Sequence, residues 1–569
     1  MKNIIDKTKL LIIFFGLFTG CEDFLDTQPY GTTTLKTLSK QTSGADALLI
    51  GAYSCLDGFA SGWYTVWFVA GSNWINGSIT GGDAYKGSDI GDQIEITYVE
   101  VHNKLTASNP FVEAKWAENY HAISRANDAL NAFKSLDGID EKFRQKRMAE
   151  ARFLRGFFHF ELRKMFGFVP YIDETVEDVR IGNEADIFPM ILDDFLYASK
   201  YLPKTQDEPG RATKGAAQSY VGIVNMWMHE YETAKIYFDS VITSNRYKLN
   251  EHYHENFNAE FRNTNESILE VQGSVNDGAG GANGNFGDLL NQPFNVYGSC
   301  CGFHQPSQNL VNAFKTDASG LPLLYTYNDS DVKNDDGLTV NDPFVPETGT
   351  LDPRLDWTVG RRDIPYLDWG KHSAEFIRDQ HNGGPYSPKK NVIYQSQLGQ
   401  YSDNSWNSVN ANNLKLLRYA DLLLYAAEAQ VELGNLGAAM DLVNEVRSRA
   451  ANPEGFVMDG AVPAANYLIN VYPDGHFDAN GKEYARDAVR FERRLELGME
   501  GHRFFDLVRW GIAAEEKNKY FEKEREKRTH LSDAHFTEGK NEFLPIPQNA
   551  IDRSHKDGIP TLQQNPNYN

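Results

Sequence analysis

Residues 489–511, VRFERRLELGMEGHRFFDLVRWG, decide how the chain is read. Val489, Leu495, Met499 and Phe505 are apolar positions in a run crowded with Glu492, Arg493, Arg494, Glu496, Glu500, Arg503, Asp506 and Arg509. The spacing predicts one amphipathic helix, stopped by Gly511. Opposite charges three or four residues apart share a helix face, so Glu496 and Glu500 are expected to support Arg503, and Asp506 to pair with Arg509. So many Glu and Arg side chains admit a catalytic reading, as acid, base or clamp. The simpler reading is a structural ion-pair network that locks this helix to the rest of the fold, and it is the one adopted.

Working outward, helical spacing recurs on both sides. Trp116, Tyr120, Ile123, Ala126 and Leu130 repeat at three- and four-residue steps. A helix is expected over about 141–166, with Ala151, Leu154, Phe158, Leu162 and Met165 on one face, and another over about 186–201, stopped by Pro203. Residues 210–242 read as two helices around a turn at His229-Glu230, and Tyr231-Glu232-Thr233-Ala234 looks like the second half of a tetratricopeptide unit. Leu417, Ala420, Leu424, Ala427 and Val431 form a further stripe, and Gly434-Asn435 separates it from Ala439, Leu442, Val443 and Val446. These are helix hairpins stacked as repeats, although the two copies lie far apart in the chain. Between them, residues 251–410 are rich in Gly, Asn, Pro and Asp, with short strands expected at 267–271 and 392–394. The expected fold is mostly α: a tetratricopeptide-like helix-pair scaffold with a loop-rich insertion carrying short strands.

The chain accordingly divides into a leader (1–20), a tether (21–40), an N-terminal helical scaffold (41–250) with ligand loops at 57–110, a loop-rich ligand-binding insertion (251–410), and a C-terminal helical scaffold and cap (411–569). In the leader, Lys2, Lys7 and Lys9 precede an apolar run from Leu10 to Phe18 that is too short to span a bilayer. Phe18-Thr19-Gly20-Cys21 then resembles a bacterial lipobox, with Phe18 where Leu is usual. Cys21 is therefore expected to be lipidated, the plainer alternative being a cleaved secretory signal. The net charge of −22 gives no basic field to replace phosphate counterions, so nucleic acid is excluded as a partner. The 28 Tyr and 9 Trp suit a protein that grips amphipathic ligands, although most must be core.

Export implies an oxidising compartment for Cys55, Cys300 and Cys301. Cys300 and Cys301 could join each other as a vicinal disulfide, remain thiols, or bond one of themselves to Cys55. No His-Glu-x-x-His helix, Gly-x-Ser-x-Gly elbow or zinc-spaced Cys pair occurs. Gly210 and Gly215 have phosphate-loop spacing, but Ala216 and Ala217 stand where Lys and Ser/Thr are needed, so no nucleotide cofactor is expected. The glycine-rich loop DGAGGANGNFG (277–287) lacks a strand–loop–helix context and reads as surface loop. Asp329, Asp331, Asp335 and Asp336 cluster in one turn, but Lys333 breaks calcium-loop spacing; a solvated acidic turn is expected, and no metal.

Nine stretches now resemble one family, in order along the chain. They are CEDFLDTQP (21–29), DAYKGSDIGD (83–92), RATKGAAQSYVGIVNMWM (211–228), GFHQPSQNLVNAF (302–314), DPRLDWTVGRRDIPYLDWG (352–370), LLRYADLLLYAAEAQVELGN (416–435), VNEVRSRA (443–450), FERRLELGMEGHRFFDLVRWG (491–511) and FLPIPQNAID (543–552). Together they resemble the SusD/RagB family over essentially the whole mature chain. The resemblance implies a surface lipoprotein of Bacteroidota that binds glycans, is not an enzyme, and acts as a lid over a TonB-dependent outer-membrane barrel of the SusC type. Acidic Glu22 and Asp23 after the lipid site resemble the family's surface-export signal. Ser299-Cys300-Cys301 departs from the aromatic or small residue that relatives often carry before Gly302.

Sugar recognition needs a flat apolar plate against C–H faces and fixed groups for hydroxyls. Candidate plates are Trp63, Trp67 and Trp74 in the first loop region, Tyr297 and Phe303 beside Cys300-Cys301, and Trp357, Tyr366 and Trp369 in the insertion. Candidate polar partners are Asn73, Asp83, Lys86, Arg361 and Arg362. The family places its pocket where the two loop-rich regions meet. The expected function is capture of oligo- or polysaccharide and delivery to the SusC-like barrel, with the protein held to the outer membrane by its lipid. A small Cys-Cys plate suits a less planar sugar such as a fructan. The alternative is a lid subunit of a transporter importing non-glycan nutrients such as peptides.

Overall fold

A computed structural model describes residues 35–62, 65–296, 300–404 and 409–568. Cys21, Trp63 and Tyr297 lie outside the described residues. The last part of the expected tether is a helical turn, Leu35–Leu38, packed against helix α1 (Thr42–Tyr53).

The scaffold helices start and stop where local chemistry tells them to. In α2 (Pro110–Ser135) the Asn109 side chain accepts from the Phe111 N–H and proline takes the first position. Asp140 caps α3 (Glu141–Phe166), which stops at Gly167 with φ 72°. Then come α4 (Phe188–Tyr201), α5 (Lys214–Trp227), capped by Thr213, and α6 (Tyr231–Ile242). Each of α2 to α6 packs on the next. At the α5–α6 crossing Gly222 admits the Phe238 ring, to which an added Cβ would approach within 2.4 Å.

The stack does not stop at the insertion. Helix α6 packs directly on α7 (Tyr419–Glu432), with the Phe238 and Tyr425 rings 6.1 Å apart, and α8 (Leu436–Ala450) and α9 (His476–Leu497) continue it. The two hairpins far apart in sequence are therefore neighbours in one stack. Four short strands tie the loop-rich regions down: β1 (Ala84–Gly87), β2 (Ser267–Val271), β3 (Phe303–Pro306) and β4 (Leu414–Arg418). Antiparallel pairing of β2 with β4 clips the neck of the insertion shut between α6 and α7. The strand expected at 392–394 is not formed. Val392 and Ile393 instead bury themselves beside Tyr366, Ala259 and Val296 in a small second core. Residues 57–110, expected as loops, hold a π-helical turn (Trp74–Ile79), β1 and a helix (Ile94–Val101).

The stretch at 489–511 is two helices, not one. Helix α9 ends at Leu497, and α10 runs from Arg503 to Arg509. Met499 (φ 69°) and Gly501 (φ 81°) are left-handed between them. The cause is tertiary: Gly501 lies against Ser72 and Gly77, where a Cβ on Gly501 would come within 2.0 Å of the Ser72 carbonyl oxygen. Its N–H donates to Ser78 Oγ at 3.0 Å.

The ion pairs expected along this helix run mostly between elements. Asp506 does pair with Arg509 (3.0 Å), but Arg503 pairs with Glu516 of α11 (Ala513–Glu524). Glu492, Glu496 and Glu500, with Glu266 and Asp352, face Arg354, Arg418, Arg447, Arg449 and Lys390. Representative distances are 2.7 Å for Arg354–Glu492, 2.9 Å for Arg418–Glu500 and 2.8 Å for Arg447–Glu492. All ten side chains are buried, and five positive charges balance five negative ones, as burial requires. The acidic turn at 329–336 keeps Asp329, Asp331 and Asp336 exposed, as a solvated turn should, and buries only Asp335 of its four carboxylates. Asp331 meets Lys527 and Asp336 meets Arg528 (2.7 Å). Asp335 is buried beside Arg362, and burial raises its carboxyl to about 6.

Candidate functional site

The first loop region and the insertion are sewn together by β1 and β3, in the register Ala84↔Pro306, Tyr85↔Gln305 and Gly87↔Phe303. Because the pair is antiparallel, the exit of β1 lies beside the entry of β3. That end of the ribbon brings the turn Ser88–Asp92 against Cys300-Cys301-Gly302, with the Ser88 N–H donating to the Gly302 carbonyl. Cys300 and Cys301 form a vicinal disulfide, while Cys55 is a free, buried thiol. Cys301 is buried and Cys300 half-buried, so one sulfur sits at the rim.

The turn is held from both sides. From within, Lys86 Nζ donates to the carbonyls of Asp89 and Asp92, each at 2.6 Å, and lies 5.7 Å from the Phe303 ring centroid. Burial lowers the pKa of this amine. From outside, Arg378 donates to Ser88 Oγ (2.8 Å) and Asp92 Oδ2 (2.7 Å) and pairs with Asp89. Gly302 is left-handed (φ 73°), and a Cβ there would make only ordinary contact with Arg378 Cβ (3.5 Å) and Phe294 Cβ (3.9 Å), which places both side chains beside it. The Phe294 N–H donates to the Phe376 carbonyl at 2.9 Å. Trp67 Nε1 reaches Gln93 Oε1 at 3.4 Å, which ties the Trp67 loop to the same turn. Half-buried Trp67, Phe294 and Cys300 thus collect around a charged turn whose Asp89, Asp92 and Arg378 remain partly open to solvent, while the Phe376 ring packs edge-on against Tyr366 and His372 in the second core.

Most of the sequence-predicted residues lie beneath this rim or away from it. Trp74 is 1% exposed, edge-on to Phe303 with centroids 6.2 Å apart, and its Nε1 donates to the Gly287 carbonyl. Asn73 bridges buried Lys115 and Glu161, both at 2.9 Å. Asp83 accepts from Arg494 Nε at 3.0 Å, joining the first loop region to α9. Phe303 and Lys86 are buried in the same layer. These side chains position the loops and offer no face to a ligand, because each is sealed by packing or by a buried polar partner.

The insertion residues form a separate group. Trp357 stacks on His254 with centroids 4.2 Å apart, and its Nε1 donates to the Gly455 carbonyl. Arg361 forks onto Asp356 at 2.6 and 2.8 Å. Arg362 donates to the carbonyls of Thr339 and Asp342. Tyr366 is buried, its hydroxyl on the Pro388 carbonyl, and half-buried Trp369 donates to the Ile393 carbonyl. All five anchor loops. Arg378, Phe376 and Phe294 are missed by sequence reasoning, because nothing in their local pattern marks them. Asp89 and Asp92 belong to the family-like stretch DAYKGSDIGD, and Asp89 Oδ1 accepts from the N–H groups of Gly91 and Asp92 as an Asx turn.

Glu251, His252 and Glu454 bring donor atoms within 4.8 Å of one another, but both carboxylates are exposed and a single imidazole stands between them. That is a solvated cluster.

Known proteins share this architecture. A SusD-family model matches residues 265–568, and a second, described as "Starch-binding associating with outer membrane", matches residues 23–226. SusD-like protein P38 of Formosa agariphila is 24% identical over 539 residues, covering 90% of this chain and 92% of that protein. A SusD-like protein of Bacteroides ovatus is 24% identical over 546 residues, covering 89% of this chain and 83% of its own length. Among solved structures, a laminarin-binding SusD-like protein superposes with a TM-score of 0.64 at 23% identity, covering 93% of this chain and 100% of that one. Surface glycan-binding protein A of Bacteroides thetaiotaomicron in complex with laminarihexaose gives 0.65 at 19% identity, covering 92% and 99%. The match over more than half of its length, joined to the continuous helix-pair stack with its clipped insertion, shows that this chain belongs to the SusD family.

Proposed function

We propose that the chain is a cell-surface glycan-binding lipoprotein that captures oligo- or polysaccharide at the rim formed by turn 88–92, Cys300 and Arg378. It delivers the glycan to a SusC-like TonB-dependent outer-membrane transporter. The observation that carries this reading is the rim itself: apolar plates around fixed charged groups, where the two loop-rich regions are sewn together. A sugar presents an apolar C–H face to Trp67, Phe294 or the Cys300 sulfur and its hydroxyls to Arg378 and Asp89. The laminarin and laminarihexaose named for two structural neighbours support a glycan as the ligand class. The protein works by binding, not by catalysis. Cys21 carries the lipid that holds it to the outer membrane.

Calorimetric titration with neutral hexasaccharides of β-1,3-glucan, β-1,4-glucan, α-1,4-glucan, β-1,4-xylan, β-1,4-mannan and β-2,1-fructan tests the reading. Binding of at least one is expected, with Arg378→Ala weakening it about tenfold at unchanged melting temperature. No binding by correctly folded protein to any of the six overturns it. Cys21→Ala is expected to release the protein from the membrane fraction.

A further inference from the structure

The ionisable groups gathered at the turn 88–92 are Lys86, Asp89, Asp92, Glu100 and Arg378. Neither of the two cations is free to meet a charged ligand. Lys86 is 1% exposed, and its ammonium faces the backbone. Its three N–H groups serve the carbonyls of Asp89, Ile90 and Asp92 at 2.6, 3.4 and 2.6 Å. Buried Glu100 beside it balances its charge. Arg378 is shared between two carboxylates, with Nη1 on Asp92 Oδ2 at 2.7 Å and Nη2 on Asp89 Oδ2 at 2.5 Å.

The carboxylates are the open members of the group. The side chains of Asp89 and Asp92 are 40% and 28% exposed, against 31% for Arg378. Two carboxylates against one guanidinium leave the surface of the turn with an excess negative charge. Asp92 Oδ1 accepts no hydrogen bond among the described residues and keeps contact with solvent.

An ionised carboxylate accepts hydrogen bonds and donates none, so whatever meets it must donate. A sugar hydroxyl does so. The carboxylate of a uronic acid and a sulfate ester cannot, because they too only accept. Brought to the turn, either one faces Asp89 and Asp92 with no unpaired cation to offset the loss of its hydration. The net charge of −22 on the chain adds an adverse field during approach.

We propose that the rim selects uncharged glycans and excludes acidic ones, carboxylated or sulfated, and that Asp89 and Asp92 determine this specificity by neutralising Arg378 and presenting acceptors to sugar hydroxyls. This rests on the glycan-binding reading of the rim.

The test takes whichever of the six hexasaccharides binds the full mature protein most tightly and adds two derivatives of it. One is oxidised at C6 to the uronate, and the other is the methyl ester of that uronate, alike in shape but uncharged. For the xylan, which has no C6, glucuronate branches take that place. In calorimetric titration at about 0.02 M salt, the uronate is expected to bind about tenfold or more weakly than its ester. At about 1 M salt, where the screening length falls to about 3 Å, the gap should narrow. The double variant Asp89→Asn, Asp92→Asn keeps the side-chain shapes and frees the guanidinium, so it should prefer the uronate to the ester. A merely structural role for the two carboxylates would weaken both ligands alike. Acid and ester bound equally, or lost equally, overturn the inference and leave the rim reading standing. So does a uronate bound more tightly than its ester by the unaltered protein, or a gap that persists both at high salt and in the double variant. No binding to any of the six hexasaccharides overturns both readings.

Discussion

At the scale of single residues, Glu496 and Glu500 carry the most weight. Glu496 meets Arg354, Arg418 and Arg449, and Glu500 meets Arg418 and Lys390, all away from water. Removing one partner of a buried pair leaves an uncompensated charge, so Glu496→Ala and Glu500→Ala are each expected to cost about 3–5 kcal/mol of stability. Urea denaturation checks this, and glycan affinity of the protein that remains folded should not change. Equal denaturation midpoints with lost binding would assign these carboxylates to the site instead. The aromatic candidates teach the converse lesson. Trp74 and Trp369 look alike in sequence, one interior and one half-exposed in space, and no local feature separates them.

At the scale of elements, two glycine contacts set the geometry. Gly501 breaks the helix so that 498–502 can lie against 72–78. Gly501→Ala forces a side chain into left-handed backbone and into the Ser72 carbonyl, and is expected to destabilise by about 1–3 kcal/mol or more, measured by thermal melting. Gly87 (φ 78°) lets β1 close on the Gly302 carbonyl, 2.5 Å from where a Cβ would stand. Gly87→Ala should pry the turn 88–92 away from the disulfide. Glycan affinity is then expected to fall about tenfold, alongside a loss of stability like that of Gly501→Ala. Unchanged affinity would show that the rim tolerates that displacement. The helix-breaking glycines at 498 and 501 are visible in the sequence, but a periodic charge pattern runs across them. Only the approach of a segment more than 400 residues away in sequence gives them their meaning.

At the scale of the whole molecule, stability should fall on the acid side in two stages. Burial pushes His159, His304 and His372 down to about 3, and His254 to about 4. Each stays neutral in the fold and binds a proton when unfolded below about 6.5, so its contribution is complete above that pH and is lost as pH falls toward the folded value. Each such histidine adds a slope of about 1.4 kcal/mol per pH unit in that window. Glu500 sits at about 2 because Arg418 and Lys390 outweigh its burial, and Glu174 sits at about 2 through Lys134 and Arg155. Their contribution is present above about 4.3 and is lost as pH falls toward 2. Calorimetric melting between pH 7.5 and 3 should show a decline from about pH 6.5 that steepens below about 4.3. A flat profile down to pH 4 would contradict it.

The amino-acid order by itself determined the helix hairpins, because apolar period, capping Asn, Asp and Thr, and stop glycines act over a few residues. Its ordered motifs carried the family as well, and the Gly-, Asn-, Pro- and Asp-rich composition of 251–410 carried the expectation of a loop-rich insertion. Tertiary structure alone decided that α6 meets α7 across that insertion, and that the charges at 489–511 pair outward with other segments of the chain. It also sealed Trp74, Asp83 and Arg361 inside while leaving Arg378 and Cys300 at the rim. Burial is a property of what surrounds a side chain, and those neighbours come from distant parts of the chain.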